Sequence, residues 1–175
     1  MATGTAGRGL ALIRIGFGIY FVQSALEKIG AGWLGTGEAL TASVSKQLGQ
    51  AAPFYRPFLE GTVLTNADLF SRLVALGEAA VGISLILGLL APLGALGGFF
   101  LMGNFILMKG FAALPQGTDW RLALGFVGLA LGAAGMTWGL DARLFRRRTR
   151  PSDTDTLPLP GMGSPTRRYN TTALD

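Results

Sequence analysis

Six polar or charged side chains lie within or beside long apolar runs, and they define the candidate site. They are Gln23, Glu27, Arg72, Glu78, Asn104 and Lys109. An ionisable group at the centre of a membrane helix costs about 2.5–3.5 kcal/mol, so each needs a structural or functional reason. In a structural interpretation, Glu78 pairs with Arg72, Lys109 or an Asn or Gln side chain, or is neutral and hydrogen-bonded, and fixes the helix register. In a functional interpretation, the cluster binds a quinone headgroup, a small anion or a proton.

Two residue types that often carry chemistry do not occur in the chain, because it has no Cys and no His. This composition excludes disulfides, thiolate metal sites, iron–sulfur clusters and histidine-ligated haem or metal. The sequence therefore predicts no catalytic residue, no metal site and no cofactor held through His or Cys. The absence of Cys and His does not exclude a quinone or a lipid as a ligand.

The elements that must position these side chains follow from the hydropathy. Of 175 residues, 50% are hydrophobic and only 14% are charged, and the mean hydropathy is +0.44. Crossing a bilayer takes about 20 helical residues. Four stretches reach that length: 9–29, 69–90, 92–114 and 120–140. We predict an all-α membrane protein, with a four-transmembrane-helix bundle in residues 1–141, an external loop at 30–68 and a polar C-terminal tail at 142–175.

The net charge of +5 is concentrated in the tail, where residues 142–175 carry seven basic and three acidic side chains. Clustered Lys and Arg beside a membrane helix mark the cytoplasmic side. We therefore expect a multi-pass membrane protein with both termini in the cytoplasm, and Arg14 is expected to extend toward that surface. The nearly neutral body predicts no nucleic-acid partner.

The loop at 30–68 contains its own helical pattern. Leu40, Val44 and Leu48 follow each other at intervals of four, which predicts a surface helix within residues 37–51. The aromatic and proline-rich turns at 53–58 suit a membrane interface. The segment is either an interfacial flap over the mouth of the bundle or a lid over a binding site.

A face of small residues runs along the last apolar stretch. Its glycines recur at intervals of three and four, and they are Gly125, Gly128, Gly132, Gly135 and Gly139. Such a face permits close helix packing in lipid. The packing partner is either a helix of this chain or a helix of another subunit.

The tail at 142–175 is rich in Pro, Thr and Arg and has no apolar face, a composition typical of disorder in isolation. We expect it to dock on a neighbouring subunit. The candidate docking residues are Leu157, Leu159, Met162, Arg167, Arg168 and Tyr169.

Two short patterns allow a comparison with known families. The first is Leu12-Ile13-Arg14-Ile15-Gly16 followed by Phe21, Ser24, Leu26 and Lys28, and the second is Glu78 followed by Gly82, Leu85, Gly88 and Leu89. With them the chain resembles, over about residues 8–140, the DoxX family of small four-helix bacterial membrane proteins. That family includes the DoxD-type subunit of thiosulfate:quinone oxidoreductase. The resemblance implies inner-membrane residence and a role beside quinone or sulfur metabolism, although members often carry a His near the third helix that this chain lacks.

These observations favour a non-catalytic accessory subunit of a larger bacterial membrane complex, a respiratory or photosynthetic electron-transfer assembly. The expected partners are the lipid bilayer and other subunits, contacted through the glycine faces and the tail. The alternative is a quinone- or anion-handling subunit of a DoxD-like oxidoreductase that acts through Glu78 and its neighbours. A small-solute transporter is less favoured because the sequence has no evident inverted repeat.

Overall fold

A computed structural model describes residues 5–113, 117–132 and 139–141, and within these ranges the protein is helical without strands. The helices in chain order are α1 Thr5–Gly30, α2 Glu38–Gln47, α3 Arg56–Phe58, α4 Ala67–Leu87, α5 Ala91–Lys109 and α6 Asp119–Leu131. A π-helical turn at Leu59–Val63 continues α3, and a 3-10 turn covers Phe111–Ala113.

Three of these helices, α1, α4 and α5, are long and apolar enough to cross a membrane. Their outward side chains are exposed, among them Leu12 at 62%, Leu73 at 54% and Phe100 at 68%, as expected of a surface that faces lipid. The predicted fourth crossing at 120–140 stays a prediction. The helix α6 is described over 13 residues, about 20 Å, and residues 133–138 lie outside the described part of the chain.

The core is built from apolar side chains of all four long helices. α1 packs mainly on α4, and α5 packs mainly on α6. The Phe126 ring lies edge-to-face against Phe17 and Phe21, with 5.2 Å between ring centroids in both pairs. This aromatic group ties α6 to α1 across the bundle.

α1 and α4 cross with their backbones in direct contact at two glycines. A Cβ atom added to Gly18 would lie 2.9 Å from the Gly82 carbonyl oxygen, and one added to Gly82 would lie 2.9 Å from the Gly18 carbonyl oxygen. Such distances leave no room for a side chain at either position. The close crossing brings the last turns of α1 beside the middle of α4.

The structure describes four of the five glycines on the predicted glycine face of the last apolar stretch. Gly125 lies against the Phe17 ring, and Gly132 lies against the Leu10 side chain, so α1 of the same chain covers these two positions. Gly128 has no described atom outside its own helix backbone within 4 Å of an added Cβ. Gly139 lies against Gly88 at the turn between α4 and α5. Gly135 and all six predicted docking residues of the tail lie outside the described residues.

The turn between α4 and α5 is held by a distant carboxylate. Gly88 ends α4 with φ +62°, and Leu90 also has a positive φ of 52°, which is uncommon for a residue with a side chain. The Asp141 carboxylate accepts hydrogen bonds from the backbone N–H groups of Leu90 at 2.8 Å and Ala91 at 2.9 Å. The Asp141 N–H donates to the Gly88 carbonyl at 3.0 Å. Asp141 therefore caps the N-terminus of α5 from outside that helix.

The Arg14 side chain reaches the turn between α4 and α5, at one end of the bundle, and is buried there. Its side chain is 0% exposed, and its guanidinium packs against Gly88. The Asp141 carboxylate lies near enough to act electrostatically on this guanidinium. The negative charge of Asp141 beside the α4–α5 turn offsets part of the cost of burying this cation.

Replacing Asp141 with Asn tests this cap. The amide has one acceptor oxygen where the carboxylate has two, so one of the two bound N–H groups loses its partner. We expect a loss of about 1–2 kcal/mol in the free energy of unfolding, measured by thermal unfolding in detergent micelles. The exposed acid Glu60 gives the control Glu60→Gln, which should leave the melting temperature unchanged. Equal melting of the two variants would contradict the assigned role of Asp141.

Candidate functional site

The segment between α1 and α4 folds over one end of the bundle, called here the α2 end. As the stripe of apolar residues predicts, Leu40 and Val44 of α2 are buried, where they pack with Leu59, Val63 and Met108. The start of α2 is fixed by a 2.6 Å hydrogen bond from the Gly37 N–H to the Asp68 carboxylate. The chain after α2 is fixed by a 2.9 Å bond from the Ala52 N–H to the Leu107 carbonyl.

A cavity of about 410 Å³ lies beneath α2, within the roughly 300–1,000 Å³ range of small-molecule sites. We call it the polar cavity, because charged, hydroxyl and amide side chains are among the residues that line it. Its polar lining is Tyr20, Ser24, Glu27, Lys28, Ser43, Gln47, Glu78, Lys109 and Asp119, and its other side chains include Trp33, Leu40, Met102, Phe105 and Met108.

A buried ion pair forms the floor of the polar cavity. The Lys28 ammonium lies 2.9 and 2.8 Å from the two carboxylate oxygens of Glu78 and donates to the Ser24 hydroxyl oxygen at 3.0 Å. The Ser24 hydroxyl in turn donates to Glu78 at 3.1 Å. The Glu78 side chain is only 1% exposed, against 18% for Lys28. The pair supplies the charge compensation that a carboxylate inside a membrane bundle requires.

Two aromatic rings flank the same ammonium group. The Lys28 nitrogen lies 5.5 Å from the centroid of the Trp33 ring and 5.6 Å from that of Phe105. Ring faces attract a cation at such distances. Lys28 is therefore held by a carboxylate, a hydroxyl and two rings at once.

A second lysine–carboxylate pair lies on the wall of the cavity. The Lys109 ammonium, at the end of α5, donates to the Asp119 carboxylate at the start of α6 at 2.6 Å. The Lys109 side chain is 40% exposed, and an ammonium group carries three hydrogens that can donate. Lys109 thus has donor capacity beyond the bond to Asp119, and the Tyr20 hydroxyl is a further donor on the cavity wall.

The structure separates the six predicted site residues into three groups. Glu27, Glu78 and Lys109 line the polar cavity. Asn104 lies outside that cavity and accepts a hydrogen bond from the Tyr55 hydroxyl, while its amide donates to the Phe100 carbonyl at 2.7 Å. Gln23 is exposed on α1 and does not line the cavity, and exposed Arg72 donates to the Gly35 carbonyl at 3.1 Å. The expected pairing of Glu78 with Arg72, Lys109 or an amide was wrong, because Lys28 occupies that place.

An apolar crevice of about 400 Å³ adjoins the polar cavity between α4 and α5. Leu40, Phe105 and Met108 line both spaces. The crevice wall is otherwise apolar apart from Tyr55 and Asn104, which are bonded to each other. Burial raises the pKa of the Tyr55 phenol above its usual value, so this hydroxyl stays protonated as the donor to Asn104.

A comparison with known protein families identifies the family of the chain. The DoxX family model matches residues 9–110 of the chain, more than half of its length. The protein belongs to the DoxX family. The match begins within α1 and extends through α5, and so includes Lys28, Glu78 and Lys109 of this DoxX protein but neither Asp119 nor Asp141. No curated protein and no solved structure matches the chain.

Three side chains of this DoxX site were missed in the sequence: Lys28, Trp33 and Asp119. A signal for Lys28 was present, since Ser24 and Lys28 lie one helical turn apart in the first family pattern and therefore share a face of α1. Asp119 lies in the short polar segment between two apolar stretches, and Trp33 lies in an irregular turn, so periodicity gives no information on either. Their roles follow from which helices meet at the α2 end.

Proposed function

We propose that this DoxX protein is a non-catalytic accessory subunit that binds the headgroup of a lipid-soluble quinone in the polar cavity. The observation that carries the proposal is the donor-rich cavity with aromatic walls at one end of a membrane bundle. Lys109 and Tyr20 can donate to quinone carbonyl oxygens, and Trp33 and Phe105 offer ring faces for stacking. The Lys28–Glu78 pair would hold the floor of the site.

The charges of the cavity favour a neutral ligand over a small anion. Two lysines and three acids line it, namely Lys28 and Lys109 against Glu27, Glu78 and Asp119, for a formal charge of −1. A free anion would meet net repulsion from this charge. A quinone carbonyl needs only a hydrogen-bond donor. For this reason we place the anion-handling alternative second.

A purely structural role for the cluster remains the competing function, and the closed geometry of the Lys28–Glu78 pair supports it. Each Lys28 donor already has an acceptor in that arrangement. In that case the protein would act only as a packing subunit of a larger complex. The presence or absence of ligand binding at Trp33 separates the two functions.

Fluorescence of Trp33 can test the proposed binding with ubiquinone-0, a quinone headgroup without a chain. We expect saturable quenching of tryptophan emission in the purified protein in lipid nanodiscs. Trp33→Phe should remove the saturable component, whereas Trp120→Phe, outside the cavity lining, should keep it. Absence of saturable quenching in the wild type would favour the structural role.

Replacing Lys109 with Met should weaken ubiquinone-0 binding about tenfold or more, because one charged hydrogen bond of about 1.5–3 kcal/mol is lost. The partly exposed Lys109–Asp119 pair contributes only about 0–1 kcal/mol to stability, so the fold should persist. Lys46→Met, at an exposed lysine of α2, is the matched control and should bind as the wild type does. Undiminished binding by Lys109→Met would remove Lys109 from the site.

We also propose that residues 120–140 form a fourth crossing, with both termini in the cytoplasm and the α2 end outside the bacterial inner membrane. Asp119 pairs with Lys109 at the last residue of α5, and Asp141 caps Leu90 and Ala91 at the other end of α5. The chain from 119 to 141 thus connects the two ends of a helix of spanning length. That separation supports four crossings. Docking of the tail at 142–175 on another subunit of an electron-transfer assembly is part of the same proposal.

A further inference from the structure

The polar cavity and the apolar crevice adjoin each other. Leu40, Phe105 and Met108 are common to both linings, so these three side chains form the boundary. The two spaces have similar sizes, about 410 and 400 Å³. One is rich in charges and donors, and the other is almost entirely apolar. Their combination is complementary to an amphipathic molecule with a polar head and a hydrocarbon chain.

The crevice reaches the surface that faces lipid. Two of its wall residues, Leu73 of α4 and Phe100 of α5, are 54% and 68% exposed on the outside of the bundle. Gly77 and Gly97 line it from the same two helices without side chains. A Cβ atom added to Gly77 would meet only the Leu101 side chain, at 3.9 Å, so there is space in front of this glycine. A hydrocarbon chain therefore has room beside Gly77, on the lipid-facing side of the crevice.

We infer that the crevice holds the hydrocarbon chain of the quinone whose headgroup occupies the polar cavity. This inference rests on the proposed function and adds that the ligand carries a chain and enters from the bilayer. Lipid tails are as apolar as the crevice, so transfer of the chain into it gains little free energy. The crevice acts through its shape: it lets an attached chain pass while the headgroup is bound.

Filling the crevice separates the chain from the headgroup in an experiment. Gly77→Leu places a side chain in the crevice, and Gly16→Leu makes the same change on α1, where an added Cβ has no described neighbour within 4 Å. Trp33 quenching is measured in nanodiscs with decylubiquinone, which has a ten-carbon chain, and with ubiquinone-0. We expect Gly77→Leu to weaken decylubiquinone binding about tenfold or more and to change ubiquinone-0 binding by less than about twofold. Gly16→Leu should change neither.

A second variant, Val74→Phe, enlarges another side chain of the crevice and should give the same pattern. If both variants bind decylubiquinone as tightly as the wild type while ubiquinone-0 binding is intact, the chain does not use the crevice and the inference is overturned. The proposed function would survive that result. If the wild type binds neither probe, the proposed function itself fails. If Gly77→Leu loses both probes through misfolding, Val74→Phe decides by the same criterion.

Discussion

Lys28→Met should lower the free energy of unfolding by about 3–5 kcal/mol, because it leaves the Glu78 carboxylate buried without its cation. Glu78 is 1% exposed, and its two oxygens lie 2.9 and 2.8 Å from the Lys28 nitrogen. Glu78→Gln should cost less, about 1–2 kcal/mol, since an amide oxygen can still accept from Lys28 and Ser24. In addition, the cation left by Glu78→Gln keeps its contacts with the Trp33 and Phe105 rings.

The double variant Lys28→Met with Glu78→Gln measures the net contribution of the ion pair to the free energy of unfolding. Removing both charges should recover most of the stability that Lys28→Met loses, because the uncompensated carboxylate is gone. The measurement is unfolding of the purified protein in mixed detergent micelles, followed by circular dichroism. Lys46→Met is again the control for loss of a lysine. Equal stability of Lys28→Met and Lys46→Met would contradict the conclusion that Lys28 compensates the buried Glu78 carboxylate.

Gly82→Leu should destabilise the protein about as much as Lys28→Met does. We expect the free energy of unfolding to fall by at least about 3 kcal/mol, the upper end of the cost of overpacking. A Cβ atom at this position would lie 2.8 Å from the Val22 backbone nitrogen and 2.9 Å from the Gly18 carbonyl oxygen. Backbone atoms cannot move aside as a flexible side chain can. The larger residue must therefore separate α1 from α4, and ubiquinone-0 binding should be lost with the floor of the cavity.

Two glycine substitutions provide matched controls for Gly82→Leu. Gly77→Leu lies on the same helix, at a position with space, and Gly16→Leu lies on α1 at an open position. The free energy of unfolding of both variants should lie within about 1 kcal/mol of that of the wild type, since surface or unfilled positions tolerate substitution. If all three variants melted alike, the close crossing at Gly18 and Gly82 would not be what holds the two helices together.

The helical pattern was predictable from the sequence because hydropathy and periodicity depend on local residues. α1, α4 and α5 begin or end within a few residues of the predicted stretches, except that α5 ends at Lys109, where Gly110 has φ +77°. The stripe through Leu40 and Val44 correctly predicted the inward face of α2. Such features need no knowledge of which helix lies beside which.

The partners within the site could not be predicted in the same way, because they depend on contacts between distant elements. Whether Glu78 meets Lys28, Arg72 or Lys109 depends on the rotation of α1 against α4, which the Gly18–Gly82 crossing fixes. The burial of Arg14 depends in the same way on Asp141, which is near it only once the bundle has formed. A single sequence contains these glycines and charges without indicating their pairing.

The capping of α5 by Asp141 has a consequence for the biogenesis of the protein. The hairpin of α4 and α5 is synthesised about 50 residues before the carboxylate that binds its turn, as Ala91 and Asp141 are 50 positions apart. Until that residue leaves the ribosome, the N–H groups of Leu90 and Ala91 have to be satisfied by water or lipid headgroups. The hairpin can enter the membrane early, but its turn reaches the final conformation only after the segment beyond α6 has been translated. The order of synthesis thus makes closure of this end of the bundle a late step, and the residue that completes it lies downstream of the region shared with the DoxX family.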